Sequence, residues 1–543
     1  MKRTIIIPAA GLASRMKPLS RGVSKAMIPV NGRPLISYII ENCGSFDEMI
    51  IVENELGDIA EFVNRVYPHM PIKFVTQENK LGPLHAIHLG WEKSTVEDSA
   101  VTIWLGDTIC LEKFDWEENF VAVHQVPDPH RWCLIDEHGN LYDKPDVEVP
   151  TDKALIGVYH FLERDLFNEA IEAGMAAPTH KGEHQIAALL EEYQGLIGFP
   201  FALHDSYEWY DCGELNTYYE SKARLLKRTA RSFNKIEVDT FYGTVTKSSE
   251  DTERSNKIEM EKQWFTGLSQ NQSLFCPRIL DSPKGVMKMS LEPGTALNEV
   301  LVYDNLRVDV WHDIIRKILK IHHDVFFTPS DDMGDEPHHH AFVSYYLKNR
   351  DRMKSITKMF GHPEVEEFVN NTSLELCKDP IWSKVMHGDS HLGNIIYDPF
   401  SGNIKFVDPR GQFGHHIGTM GDLRYDLGKL LQDFYCGYAM LMADRFEIKG
   451  KTVEINWVGN TEELGNFLEN ELNNHGYDVA LLKKLAIVLL VTAIPFHSDN
   501  PNRQSAFFYR ALNLINENNE SIRKTTRESK HRGKTSGHAN VSA

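Results

Sequence analysis

Thr4-Ile5-Ile6-Ile7-Pro8-Ala9-Ala10-Gly11-Leu12-Ala13-Ser14-Arg15-Met16-Lys17-Pro18-Leu19 decides how the first half of this chain is read. Its β-branched opening is a short strand, and Pro8 hands that strand to a loop of small residues. Alanine and glycine put no bulk in front of the backbone amides, so such a loop can cradle a triphosphate. The following stretch, Ser24-Lys25-Ala26-Met27-Ile28-Pro29-Val30-Asn31-Gly32-Arg33-Pro34-Leu35, brings a lysine, and Arg15 and Lys25 would together neutralise charge developing on phosphates under attack. From Lys2 to about Lys227, short apolar strands alternate with helical patterns. That alternation predicts βαβ units and a mostly parallel sheet, closed by a helix from Leu215 to Leu226.

These motifs resemble the sugar-1-phosphate nucleotidyltransferase family, whose signature is a glycine-rich loop, an arginine, and a lysine shortly before a Gly-x-Pro stretch. The resemblance implies a Rossmann-like sheet domain in which Ala10, Gly11 and Ala13 hold nucleotide phosphates and Arg15 and Lys25 act as catalytic cations. Ala13 stands where the family usually has a second glycine, and an alanine resists positive φ. Ser24 stands where a proline commonly lies near the lysine. Gln77-Glu78-Asn79-Lys80-Leu81-Gly82 looks like the base-recognition stretch, with the Gln77 side chain and the Gly82 backbone on the nucleobase edge. Val101 to Asp107 is an apolar strand ending in a carboxylate, where an α/β sheet presents its ligands. Glu208-Trp209-Tyr210-Asp211-Cys212-Gly213 is similar to the family's Trp-x-Asp-x-Gly motif, so Asp107 and Asp211 are expected to clamp one Mg²⁺ against the NTP. Lys144-Pro145, after Asp143, resembles the Glu-Lys-Pro element that holds the acceptor's phosphate, with Asp143 a shorter replacement for the glutamate. Gly157 and Glu183 sit where the family contacts the rest of the acceptor; a strand glycine and a solvated charge are the competing readings.

A second signature lies in the other half: Met386-His387-Gly388-Asp389-Ser390-His391-Leu392-Gly393-Asn394-Ile395-Ile396, then Ile404-Lys405-Phe406-Val407-Asp408. Moving a phosphoryl group from ATP to a hydroxyl needs a carboxylate to hold the acceptor, plus an amide and a second carboxylate for magnesium. Asp389 takes the first role, and Asn394 and Asp408 the other two. HGDxxxxN with a downstream apolar-apolar-Asp resembles the aminoglycoside phosphotransferase and choline kinase family, a branch of the protein-kinase-like fold. The resemblance implies a two-lobed α+β domain in which Lys247 binds the ATP phosphates, paired with Glu261 on the next helix; Glu259 competes for that role. Strands are expected over Phe233 to Asp239 and Phe241 to Ser248, a hinge at Val286 to Leu297, and helices from Val302 to Asp324 and Ala341 to Lys358. Gly421 to Leu430 resembles the helix after the metal loop.

At 543 residues the chain exceeds one ordinary core. The expected division is 1–228 nucleotidyltransferase, 229–520 kinase-like, and 521–543 a polar, basic tail without structure. A net charge of −19 argues against a general nucleic-acid binder. The seven cysteines are scattered with no CxxC pair, which suits reduced thiols and disfavours a thiolate zinc site. His322-His323, His338-His339-His340 and His415-His416 lack the spacing of ligand sets and read as loop and helix-surface residues. No signal-peptide pattern opens the sequence, and the longest apolar run, Leu485 to Ile494, is short of the ~20 residues that span a bilayer, so a cytoplasmic protein without membrane insertion is expected.

The combined expectation is an enzyme with two activities. One half phosphorylates a small hydroxyl compound with ATP, and the other couples a sugar or polyol phosphate to an NTP, CTP or UTP favoured, with Mg²⁺ in both. Fusion logic then suggests nucleotide-activated units for surface polysaccharide such as capsule. Choline or another amino alcohol is the alternative acceptor, and a nucleotide-sensing scaffold without catalysis is the alternative of another class. Homo-oligomerisation is left open.

Overall fold

The computed structural model describes residues 2–11, 13–17, 19–228, 235–239, 242–303, 306–327 and 336–535, with the backbone alone at 14, 227–228 and 519–535. Two compact units divide the chain, Met1–Thr229 and Ala230–Ala543.

The first unit is built on a nine-stranded sheet. Its central strand, Lys2–Pro8, lies parallel to Glu48–Glu53 on one side and Ser99–Trp104 on the other. Ile5, Ile6 and Ile7 are fully buried, which is why this strand reads as a continuous apolar run. Ile72–Thr76 extends the parallel half beyond Glu48–Glu53. On the other side Lys153–Phe161 joins Ser99–Trp104 antiparallel, and Phe120–Gln125 joins it in turn. The predicted parallel sheet is therefore mixed. The long strand Lys153–Phe161 crosses back over residues that are polar at its edges and apolar within, a pattern that carries no sign of strand direction. The loop after Lys2–Pro8 and the residue Asp107 after Ser99–Trp104 emerge at the same sheet edge, because the two strands are parallel neighbours.

The second unit opens with a four-stranded antiparallel sheet, in spatial order Lys235–Asp239, Thr244–Ser248, Val286–Ser290, Ile279–Leu280. The expected strands began at Phe233 and Phe241, which lie outside the described residues. Helix Thr252–Thr266 follows, its N-terminus capped by Asp251, which accepts from the Arg254 amide at 2.9 Å. The expected helix from Val302 is two segments, Leu297–Tyr303 and Val308–Lys320, with 304–305 outside the described residues. A short hairpin, Ile395–Asp398 against Asn403–Phe406, sets Asn394 and Asp408 at its open end, where the Val407 amide donates to Asn394 O at 3.0 Å.

Helix Val479–Ala493 runs through the main core of this unit, packed against Pro501–Thr535 and Pro363–Leu376. The stretch Val479–His497 is long and apolar enough to cross a membrane by length and composition, longer than the run read from sequence, and 61% of it is buried inside this unit. The tail expectation is corrected: helix Pro501–Thr535 continues well past Ser521, and 536–543 lie outside the described residues. Its first part is anchored by Phe507, Phe508, Leu512 and Ile515, and no proline interrupts the polar residues that continue the helix.

Candidate functional site

In the first unit the strand pair Trp209–Asp211 and Thr108–Cys110 sets Asp211 opposite Thr108, and the Cys212 amide donates to Asp107 O at 3.1 Å. Two carboxylates more than a hundred positions apart are thus brought together. Lys25 joins them, with Nζ 2.6 Å from Asp107 Oδ2. Burial, and then the neighbouring charge of Asp107, keep the Asp211 carboxyl above its ordinary range despite a hydrogen bond from Thr217 and the charge of Lys25. Asp211 Oδ1 also accepts from the Gly213 amide at 2.9 Å.

Ser24, the departure near the lysine, is buried and doubly tied to Asp58: its amide donates to Oδ2 at 2.8 Å and its hydroxyl to Oδ1 at 2.5 Å. Those bonds fix the turn that aims Lys25, work a proline would do by rigidity. Ala13 does adopt positive φ, 48°, held by Met16 N and Ser20 Oγ on its carbonyl at 3.0 and 2.8 Å. Ala10 is buried and Gly11 exposed beside it. Arg15 is not turned to the carboxylates; its guanidinium pairs with Glu214 at 2.9 Å, and Arg131 reaches the same glutamate at 2.6 Å.

Gln77 is buried, with Nε2 3.3 Å from Gly82 O and 3.0 Å from His85 Nδ1. Gly82 sits at φ 102°, and a Cβ there would come 2.7 Å from His184 O and 2.9 Å from Glu183 Cβ. Only glycine fits, and the contact sets Glu183 beside the base-recognition stretch. Gly157, at φ 93°, is bonded through its carbonyl to Leu105 N at 2.8 Å, and a Cβ would strike the Leu105 side chain. Lys144 also has positive φ, 46°, and an exposed side chain whose nearest carboxylate is Asp143 at 3.8 Å.

The second unit holds a denser constellation. Lys247 Nζ lies 2.7 and 2.9 Å from the two Glu261 oxygens and 3.2 Å from Asp408 Oδ1. Glu259 is used elsewhere, accepting from the Gly285 amide at 3.0 Å, which resolves the competition in favour of Glu261. Burial opposes the charge on Lys247, but Asp408 and Glu261 outweigh it and raise its pKa. Burial pushes the Glu261 carboxyl up to about 7 although Lys247 pulls it back.

Asp389 meets Lys429 Nζ at 3.0 Å and His391 Nε2 at 3.8 Å. Burial works against its charge, yet Lys429 and His391 hold its carboxyl well below the usual range. Asn394 Nδ2 donates to Asp389 O at 2.9 Å, which leaves the amide oxygen as its ligating atom. The loop is braced from below: buried Asp426 accepts from the His387 and Gly388 amides, both at 2.7 Å, Asp433 accepts from Leu392 N at 2.7 Å, and Trp264 Nε1 donates to Met386 O at 2.8 Å. Asp408 stands at φ 55°, strained for a non-glycine.

Lys429, Asp426 and Asp433 were given no role by the sequence reading. Helix Leu423–Leu431 is buried along its whole length yet carries Arg424, Asp426 and Lys429, and charges in a buried helix need partners, but that burial is not legible in the sequence. Among the described residues, no group of three or more histidines, cysteines and carboxylates is arranged for a metal ion. A magnesium ion fits the oxygen donors that are present. Asp107 and Asp211 repel one another, and a divalent cation is the group that would relieve both.

Residues 5–129 match the MobA-like NTP transferase domain family. The chain is 28% identical over 251 residues to the low-salt glycan biosynthesis nucleotidyltransferase Agl11 of Haloferax volcanii, covering 41% of this chain and 66% of that protein. It is 27% identical over 197 residues to the bifunctional protein GlmU of Methanococcus maripaludis, covering 34% and 46%. It is 23% identical over 203 residues to the UTP–glucose-1-phosphate uridylyltransferase AglF of Haloferax volcanii, covering 34% and 81%. The chain thus spans between about half and two thirds of the length of the first two. The N-terminal unit carries a nucleotidyltransferase domain of mixed α/β, Rossmann-like architecture.

Proposed function

We propose that the chain is a bifunctional enzyme, a nucleotidyltransferase in its N-terminal unit and a small-molecule kinase in its C-terminal unit. The observation that carries the first activity is the convergence of Lys25, Asp107 and Asp211 at the sheet edge where the small-residue loop emerges. An oxygen of the acceptor's own phosphate attacks the α-phosphorus of the NTP, a P–O bond forms, and pyrophosphate leaves with the electrons of the broken bond. No nucleophilic side chain is required. Lys25 and Arg15 stabilise the charge on the phosphates, Gln77 and Gly82 hold the base, and Lys144 with Glu183 and Gly157 orient the acceptor. Asp107 and Asp211 would hold Mg²⁺, which when bound neutralises phosphate charge. The related proteins' names favour a sugar phosphate as acceptor, with UTP as donor and glycan building blocks as the destination, and CTP is the second donor to test.

The second activity rests on the triad Lys247, Glu261 and Asp408 facing the Asp389 loop. Lys247, fixed by Glu261, binds ATP phosphates; Asn394 and Asp408 would hold Mg²⁺. Asp389, kept ionised by Lys429, hydrogen-bonds the acceptor hydroxyl and receives its proton as the oxygen attacks the γ-phosphorus and ADP leaves. The test is a product screen of purified protein: each NTP with sugar 1-phosphates and polyol phosphates, read as pyrophosphate, and ATP with hydroxyl compounds, read as ADP. Absence of both products across the panels would favour the sensing-scaffold reading.

A further inference from the structure

The surroundings of Asp389 contain more positive charge than that carboxylate balances. Lys429 pairs with it directly. Arg410 packs against the same loop: its amide donates to His387 O at 2.8 Å, a Cβ on Gly388 would come 2.7 Å from Arg410 Cβ, and its guanidinium receives no carboxylate, donating instead to the Tyr425 hydroxyl at 2.6 Å. Arg352, on helix Lys348–Phe360, has its guanidinium 4.8 Å from the Phe496 ring centroid and 3.4 Å from Thr492 O, and the charges of Tyr425 and Asp389 act on it. Among the described residues neither arginine pairs with a carboxylate.

The nearby acids are already engaged. Asp422 is clasped by Arg424 at 2.5 Å. Asp426 accepts from two backbone amides, and burial pushes the Asp433 carboxyl up to about 7. Tyr425 registers the imbalance: burial alone would raise its phenol, but Arg410, Lys429 and Arg352 outweigh burial and bring it below its ordinary range. A half-buried guanidinium without an anionic partner is ready to bind a substrate that supplies the charge. A quaternary ammonium would meet three cations here.

We propose that the C-terminal site takes an anionic acceptor, a hydroxyl compound that also bears a carboxylate or a phosphate, with Arg410 and Arg352 binding that anion while Asp389 holds the hydroxyl. This rests on the kinase reading above. The acceptor's anion stays untouched; one hydroxyl O–P bond forms, the γ P–O bond of ATP breaks, and the hydroxyl proton passes to Asp389.

The experiment uses the full chain with Mg·ATP and skeleton-matched acceptors: glycerate, glycerol 3-phosphate, glycerol and serinol, then glucuronate, glucose 6-phosphate, glucose and glucosamine, with choline added, all followed by ADP release. Anionic members should exceed their neutral and cationic counterparts in kcat/KM by at least ~10-fold, the size of one charge-assisted contact. The carboxylate and phosphate arms then identify which anion is preferred. Arg410→Ala and Arg352→Ala should each raise KM by roughly 10- to 100-fold for the anionic acceptor with kcat nearly kept, and lysine at either position should restore part of the loss. ADP formed from neutral or cationic members at equal or higher kcat/KM, or a KM indifferent to both arginines, overturns the inference and leaves the kinase reading standing. No ADP from any member, with ATP still bound, overturns the kinase reading itself.

Discussion

In the N-terminal unit two cations of the candidate site stay largely in water, Arg15 at 72% exposed and Lys144 at 63%, while Lys25 is 15% exposed and pinned to Asp107. In the C-terminal unit both lysines are enclosed, Lys247 at 6% exposed and Lys429 at 11%, each pinned to a carboxylate, while the Asp389 and Asp408 carboxyls stay 40% and 51% exposed. The difference follows from where each site is built. A sheet edge offers strand ends and long loops, so cations such as Arg15 and Arg131 park on Glu214 until phosphates arrive. The Asp389 loop is pressed between a buried helix and a hairpin, where charge is costly to leave unmet, so Lys247 and Lys429 each hold a carboxylate. The N-terminal site leaves two of its cations in water, and the C-terminal site pins both of its lysines.

That contrast can be broken at several points. The largest expected effect is on Asp389→Asn, which in the proposed mechanism removes the carboxylate that holds the acceptor hydroxyl; ADP formation should fall by roughly 10²- to 10⁴-fold with KM for ATP little changed. Unchanged phosphorylation in this variant would remove Asp389 from the mechanism. Lys25→Ala and Asp211→Ala should each lower pyrophosphate release by about 10²- to 10³-fold, the scale of one lost electrostatic contact to the transition state. Arg15→Ala should do less in the ground state, because its ion pair with Glu214 is surface-exposed.

Lys247→Ala separates the two sites by stability. It strands the buried Glu261 carboxyl and removes the cation beside the half-exposed Asp408, so the C-terminal unit should lose ~3–5 kcal/mol in a denaturant titration, whereas Lys25→Ala, beside the one-third exposed Asp107, should cost less. Equal losses would mean that the two sites hold their lysines alike.

The smallest effect is one the units share. Burial depresses the His322 imidazole to about 4 in the C-terminal unit, and burial does the same for His160 in the N-terminal unit, against a hydrogen bond to Trp116 O. A folded pKa below the ordinary 6.5 means that the unfolded chain takes up the proton first. Stability is therefore full above pH ~6.5 and lost as pH falls towards ~4. His322→Leu, which removes two ring nitrogens without a hydrogen-bond partner among the described residues, should flatten that decline for the C-terminal unit alone in unfolding curves from pH 7 to pH 4.

What could be read from sequence was local. The strand and small-residue loop from Thr4, the carboxylates ending apolar strands at Asp107 and Asp408, and the HGD loop are each contiguous, so periodicity and composition suffice. What was missed depends on groups far apart in the chain. Ser24 is held by Asp58 and Arg15 by Glu214, across 34 and 199 positions, and nothing near either residue announces its partner. Glu259 and Glu261 looked equivalent because two positions on a helix are about 200° apart, and only the packed sheet says which face looks at Lys247. Lys429 was hidden differently: it lies in a helix whose burial is complete, where a sequence reading expects surface charge.

The central claim is that two separate chemistries reside in one chain. Pyrophosphate release by Asp408→Ala, from UTP or CTP and a sugar 1-phosphate, tests it most directly. The account predicts a rate close to wild type in a variant that no longer makes ADP. Loss of pyrophosphate release in a variant that remains folded would contradict it, and would mean that the two sets of residues serve a single reaction.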